Sequence, residues 1–221
     1  MSPKPERLAV VLETGDKRVF ASAVDWPGWS RSGKTDAAAI AALVSYAPRY
    51  APVSKLAGFE LPDSIEVDVV ERNEGGGGTE FGVPSRVADA DARNVSKADA
   101  ERLAAIVEAA WSTFDGVAAG APAELRKGPR GGGRDRDKMV GHGVGADAAY
   151  AREIGIKTRE PDAFDRKAIK AMRDEMLAVL RQPSDGSPLA GRRWTARYAA
   201  HRIAWHALDH AWEMQDRSEK E

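Results

Sequence analysis

Near Val95 the spacing of apolar residues changes from the period of a strand to that of a helix. This change limits the chain to a strand-bearing part followed by a helical one. Before it, Ile65, Val67 and Val69 alternate with Glu66, Asp68 and Val70, as in a strand with one buried face. After it, Leu103, Ile106, Val107, Ala110, Trp111 and Phe114 recur at i, i+3, i+4 and i+7, which places them on one face of a helix.

The first part reads as a small β-β-α-β-β unit over residues 1–83, an α+β domain. Leu8 to Leu12 is a short apolar run, Gly15-Asp16 marks a hairpin turn, and Arg18 to Val24 forms a second strand. Pro27-Gly28 breaks that strand. Thr35 caps a helix through Ala37 to Tyr46, with Pro48 and Pro52 expected to end it. The tract Gly75 to Gly78 reads as a turn, and Thr79 to Val83 as a last strand. Residues 84–95 read as a linker.

Residues 96–221 read as an all-α four-helix bundle able to fold by itself, since helices with short connections bury their apolar stripes most simply against one another. The first helix opens on a capping-box pair, Ser96 and Asp99, and ends at Gly116 and Gly120. The second runs from about Asp135 to Ile154. The third starts at an Asp162 cap and shows Phe164, Ala168, Met172, Met176 and Val179 to the core. The fourth runs from about Gly191 to Arg217.

Composition narrows the function classes. The net charge is -1, so no global field draws the chain to nucleic acid or to an anionic membrane. No apolar run approaches the ~20 residues that span a bilayer. Cysteine is absent, which removes disulfides, thiolate ligands and cysteine nucleophiles and suits a cytoplasmic protein. A metal site must therefore draw on His, Asp or Glu.

The chain has four histidines, at 142, 201, 206 and 210, all in the helical part. His206 and His210 stand four apart on the last helix, so both rings leave one face a turn apart. Two imidazoles so placed can share one ion. His201 precedes His206 by five residues, about 140° around the helix, and should point elsewhere. Trp194, Tyr198, Trp205 and Trp212 fall on a neighbouring face and read as core. Ala199, Ile203 and Met214 share the histidine face, which points it toward the bundle interior. Spacing alone also fits interior histidines held by carboxylates such as Asp209, Glu213 or Asp147, because ring nitrogens are costly to bury unpaired.

The run Trp205-His206-Ala207-Leu208-Asp209-His210-Ala211-Trp212-Glu213 resembles the last helix of the DinB-like (YfiT-like) metalloprotein superfamily. That family joins H-x-x-x-H on its last helix to a single His on its second. Here the candidate is His142, within Met139 to Tyr150. The resemblance covers about Lys97 to Arg217. It implies a divalent metal on His142, His206 and His210; three imidazoles leave an open position on the ion, and zinc and nickel both accept such ligands. It also implies thiol-dependent transfer or a related metal-assisted reaction, with a low-molecular-weight thiol such as mycothiol or bacillithiol as cosubstrate. With no cysteine in the chain, the thiol must be brought in. Asp209 is then a supporting hydrogen-bond acceptor and Glu213 a base or a further support. Gly141, Gly143 and Gly145 depart from the pattern by loosening the second helix.

Two further stretches bear on function. Gly28-Trp29-Ser30-Arg31-Ser32-Gly33-Lys34-Thr35 matches the phosphate-loop pattern G-x-x-x-x-G-K-[ST], but no apolar strand ending in an acidic residue follows to hold magnesium. Asp25-Trp26-Pro27-Gly28 followed by Gly33-Lys34-Thr35 is instead similar to the HicB-like fold, over about Leu8 to Val70. That resemblance implies a partner-binding module and supports the alternative of a non-catalytic, two-domain interaction protein. The loop from Arg126 to Lys138 is rich in Gly and Arg and leads into the His142 helix. It reads either as a solvated loop or as an anion rim of Arg130, Arg134 and Arg136 that holds a small-molecule thiol or anionic substrate. No aromatic interleaving marks it for nucleic acid.

Overall fold

A computed structural model describes residues 6–62, 64–128 and 133–218. The chain is mixed α/β, with a four-stranded sheet in its first part and helices in its second. Strands β1 (Glu6–Thr14), β2 (Val19–Ala23), β3 (Ser30–Gly33) and β4 (Ile65–Glu74) lie in the order β3-β2-β1-β4. β1 and β2 form the expected hairpin, β2 and β3 are also antiparallel, and β4 runs parallel to β1. Leu8, Val10, Leu12, Ala21 and Ala23 share one buried face. They join the core of α1 (Asp36–Ser45) and α2 (Ala47–Leu56) through Ala39, Leu43, Tyr50 and Val53.

Three elements correct the sequence reading of this part. β3 was not expected: its four residues Ser-Arg-Ser-Gly carry no apolar alternation, and they are strand because β2 pairs with them. Pro48 and Pro52 do not end the helical region. Pro48 sits in the first turn of α2, where a missing N–H costs nothing, and α2 tolerates Pro52 inside. Thr79 to Val83 is no strand, because Gly77–Phe81 is a short helix, α3. Thr79 Oγ1 accepts the Gly76 N–H at 2.7 Å and donates to the buried Glu13 carboxylate, and Gly82 ends the helix at φ 105°.

The stretch read as a linker is tied down at both ends. Glu13 accepts the N–H groups of Ser85 (3.0 Å) and Arg86 (3.1 Å), and Glu71 those of Asp89 (2.8 Å) and Ala90 (2.9 Å). Val95 exchanges backbone hydrogen bonds with Ser184.

The helical part has α4 (Lys97–Gly120), α5 (Arg136–Glu153), α6 (Arg166–Leu180) and α7 (Ala196–Ser218). α4 packs on α6 and α7, and α5 packs on the same two. The Ser96/Asp99 capping box forms at the start of α4. Asp165 caps α6 in place of Asp162, which holds the preceding turn instead. Phe164 consequently lies outside α6 and is exposed, while Ile169, Met172, Met176, Leu177 and Leu180 face inward. α7 begins later than expected, at a cap where Thr195 Oγ1 accepts the Tyr198 N–H. Among the described residues no helix is long and apolar enough to cross a membrane.

α7 also lies against β2, β3 and the turn between them. Trp205 meets Phe20 edge-on, and Arg31 pairs with Asp209 at 2.9 Å. At Gly28 (φ 88°) a Cβ would come within 2.8 Å of Leu208 and 3.0 Å of Ala204. The would-be phosphate loop is thus a turn pressed on a helix, then a strand, then the Thr35 cap of α1.

Candidate metal centre

α5 and α7 pack on one another and bring His142, His206 and His210 together. One potential ligand atom from each lies within 4.8 Å of the others, and these three can bind a metal ion. Ring centroids are 4.6 Å apart for His206–His210 and 5.0 Å for the two pairs with His142. His206 is buried and the other two are half-buried.

His206 Nε2 and His142 Nε2 are 3.2 Å apart. Imidazole nitrogens at ~2.0–2.1 Å from one tetrahedral ion lie about 3.3–3.4 Å from each other, so this pair already has the spacing of two ligands. Glu213 stands behind the third: His210 Nδ1 lies 3.0 Å from Glu213 Oε2 and donates to it, leaving His210 Nε2 as the ligand atom. Arg217 Nη1 holds the other oxygen of Glu213 at 2.8 Å.

Burial and nearby charges disfavour the protonated form of two of the rings. Burial above all, then the charges of His210, Arg202, His142 and Arg134, push His206 well below the ordinary histidine range. His142 is also lowered, by burial first and then by Arg134 and His210, against an opposing pull from Glu213. The hydrogen bond from His210 and the one from Arg217 hold Glu213 below its usual value despite its burial. A neutral imidazole is the form that ligates a metal, so this environment favours binding at neutral pH.

The remaining residues singled out from sequence fall in different places. His201 is turned to the sheet, its Nε2 donating to the Val24 carbonyl at 2.9 Å. Asp209 accepts from Arg31 and makes no hydrogen bond to a histidine among the described residues. Asp147 accepts from Trp111 and Arg173. Arg134 is close enough to depress two of the histidines. Arg136 is not part of that rim: its guanidinium bonds the Ala121 carbonyl and Asp137. Arg130 lies outside the described residues.

Two neighbours were missed. Tyr150 sits edge-on to His206 at 5.7 Å, and the Arg202 guanidinium stacks on Tyr150 at 5.3 Å and on Trp205 at 4.8 Å. Helical spacing could have found both: Arg202 is four residues before His206, and Tyr150 is two turns beyond His142. Compared with family models, with curated proteins and with solved structures, the chain matches none.

Proposed function

We propose that this chain is a DinB-like metalloprotein. It holds one divalent ion, zinc or nickel, through His142, His206 and His210 and uses it with a low-molecular-weight thiol in a transfer reaction. The observation that carries the reading is the meeting of three imidazoles from two helices, two of them disfavoured from taking a positive charge by their burial, with Glu213 behind the third. Both metals accept imidazole nitrogen, and the donor set suits them better than magnesium or calcium, which prefer oxygen. When bound, the ion would supply Lewis acidity to a thiol or water.

The chain's own residues prepare the place. Glu213 fixes the tautomer of His210, and Arg217 fixes Glu213. The Tyr150 ring walls one side of His206. Arg134 adds positive charge beside the site, and that part of the expected anion rim is retained for an anionic thiol. The sheet is read as a HicB-like unit. Its Gly28 turn packs on α7, so a partner-binding role for that turn finds it already covered.

The test is element analysis of the full chain after loading with zinc or nickel and gel filtration. One ion per chain is expected. His142→Ala and His206→Ala should lose it, and His201→Ala should keep it, because His201 bonds the sheet. Metal retained by His206→Ala would sink the site. Calorimetric titration of the loaded protein with anionic low-molecular-weight thiols tests the transfer reading, which fails if none binds.

A further inference from the structure

A cleft with a volume of about 500 Å³ opens among α4, α5 and α6. Small-molecule sites commonly enclose about 300–1,000 Å³, mostly apolar with a few placed polar groups. Trp111 and Phe114 of α4, Val140 and Val144 of α5, and Ile169 and Leu177 of α6 give this one apolar walls. Phe164, 64% exposed, lines it as well, where a bound molecule would cover the ring. Val140 and Val144 lie two residues either side of His142, and so about 160° around α5 from it. The cleft is therefore separate from the histidine cluster.

One polar pair on its wall is only half used. Arg173 donates from Nε to Asp147 at 3.0 Å and from Nη1 to Asp115 Oδ2 at 2.8 Å, with its guanidinium over the Trp111 ring. Its Nη2 has no hydrogen-bond partner among the described residues, yet it is not sealed in as the orphaned Nε of Arg197 is, so it keeps open surface. The rest of that side chain is held still by burial, at 9% exposure. Asp115 Oδ1 accepts no hydrogen bond among the described residues, and its side chain is 56% exposed. A fixed donor and a free acceptor thus stand next to each other. Charge narrows what they could hold. The lining carries four cations and four carboxylates. Lys170 pairs with Asp174, Arg136 with Asp137, and Glu108 with Arg181. Two acids already answer Arg173, and Arg166 lies exposed. An added anion would meet Asp115 and an added cation the guanidinium, so the balance suits an uncharged molecule.

We propose that this cleft binds an uncharged arylamide or lactam. Its carbonyl oxygen accepts from Arg173 Nη2, its N–H donates to Asp115 Oδ1, and its ring lies on Phe164 and the α5 valines. An amide offers an acceptor and a donor side by side with no net charge, and each meets an ionised partner, which strengthens both hydrogen bonds. The site does not rest on the metal reading, because none of its contacts is a ligand histidine.

The experiment uses full-length ¹⁵N-labelled protein kept metal-free with chelator, so that an amide bound to a metal ion cannot imitate the result. Benzamide is the probe. The Trp111 indole cross-peak, assigned by its loss in Trp111→Phe, should move and saturate as benzamide is added. N,N-dimethylbenzamide keeps the ring and carbonyl but has no N–H, and benzoate carries a charge. Each should bind about tenfold or more weakly than benzamide, as expected for loss of a hydrogen bond to a charged group. Asp115→Ala should weaken benzamide to a similar degree and remove its advantage over the dimethyl form. Phe164→Ala alters only an exposed side chain and should weaken all three, giving a second reading if Asp115→Ala disturbs the fold. The proposal is overturned if benzamide gives no saturable shift, or if the dimethyl form or benzoate binds as tightly as benzamide. It is equally overturned if both variants bind benzamide as the wild type does.

Discussion

His206 is the residue whose surroundings most oppose a charge, and that fixes how the metal-free protein responds to acid. Its folded-state value lies well below 6.5, while the unfolded chain titrates near 6.5. Between those two values the unfolded chain binds more protons than the folded one, so stability rises with pH there. The stability is complete above about 6.5 and declines as pH falls below it, by at most about 1.4 kcal/mol per pH unit for one proton. His142 adds a smaller part, being more open. Glu213, whose value is lowered, contributes stability that is lost only at lower pH, below the ordinary carboxylate value. Urea midpoints of the metal-free protein should therefore fall between about pH 7 and about pH 5.5, and fall less in His206→Gln. Equal pH slopes in the two proteins would show that His206 is not buried in its neutral form. The sequence made this residue legible through i, i+4 spacing. It could not tell which carboxylate serves the site, since Asp209 and Glu213 both lie near the histidines along the helix. The choice is made by Arg31 of β3, distant in sequence, which takes Asp209 and leaves Glu213 to His210.

At the scale of elements, α5 is where the sequence reading and the structure differ most usefully. Its glycines read as weakness, because each costs about 0.5–1 kcal/mol relative to alanine inside a helix. The structure gives them separate roles. A Cβ at Gly143 would lie 3.1 Å from the buried Phe114 ring, so this glycine lets α5 close on α4. At Gly141 the nearest atom, Ala163 Cβ, is 3.7 Å away, an ordinary contact. Gly141→Ala should thus gain about 0.5–1 kcal/mol in urea or thermal unfolding, while Gly143→Ala should gain less or lose stability as Phe114 is displaced. An equal gain from both would mean that helix propensity alone governs α5 and that the Phe114 contact is slack. α5 is also clamped by Asp147, which takes the Trp111 indole N–H of α4 at 3.1 Å and Arg173 Nε of α6 at 3.0 Å. Burial raises the Asp147 carboxyl, with Arg173 pulling the other way. This clamp sits five residues beyond His142 and sets the rotation of the helix that presents it. Helix existence and capping were readable because Ser96, Asp99 and the apolar stripes act locally. β3 and α2 were not, since one is polar and made by its neighbour while the other runs through prolines.

For the whole molecule, the period change near Val95 separates two kinds of secondary structure, yet the apolar core runs through both. One continuous cluster includes Leu12 and Val10 of β1, Trp29 and Tyr50, and also Ala204, Leu208 and Trp212 of α7. Trp29 is fully buried, donates to the Leu43 carbonyl at 2.8 Å and stacks on Tyr50, whose hydroxyl donates to the Pro27 carbonyl. That fixes the turn whose Gly28 touches Ala204 and Leu208. Sequence periodicity reports which face of an element is apolar but not which element covers it, and on that basis residues 96–221 read as a helical unit able to fold by itself. A shared core predicts instead that ligand energy entering at α7 stabilises the sheet. A metal bound only by the folded state adds RT ln(1 + [L]/Kd), about 4 kcal/mol at a thousandfold excess over Kd. If folding is one cooperative unit, amides of β1, which pair with β2 and β4, should gain the same protection from hydrogen exchange as the central amides of α7. The comparison is made on the full chain with and without zinc, under conditions where the slowest amides exchange by global opening. Protection gained in α5 and α7 but not in β1 would show that the two parts open separately despite the contacts of Gly28, Trp205 and Arg31. Equal gains across both would show that the sheet and α7 open as one cooperative unit, as the packing of the Gly28 turn on Ala204 and Leu208 leads one to expect.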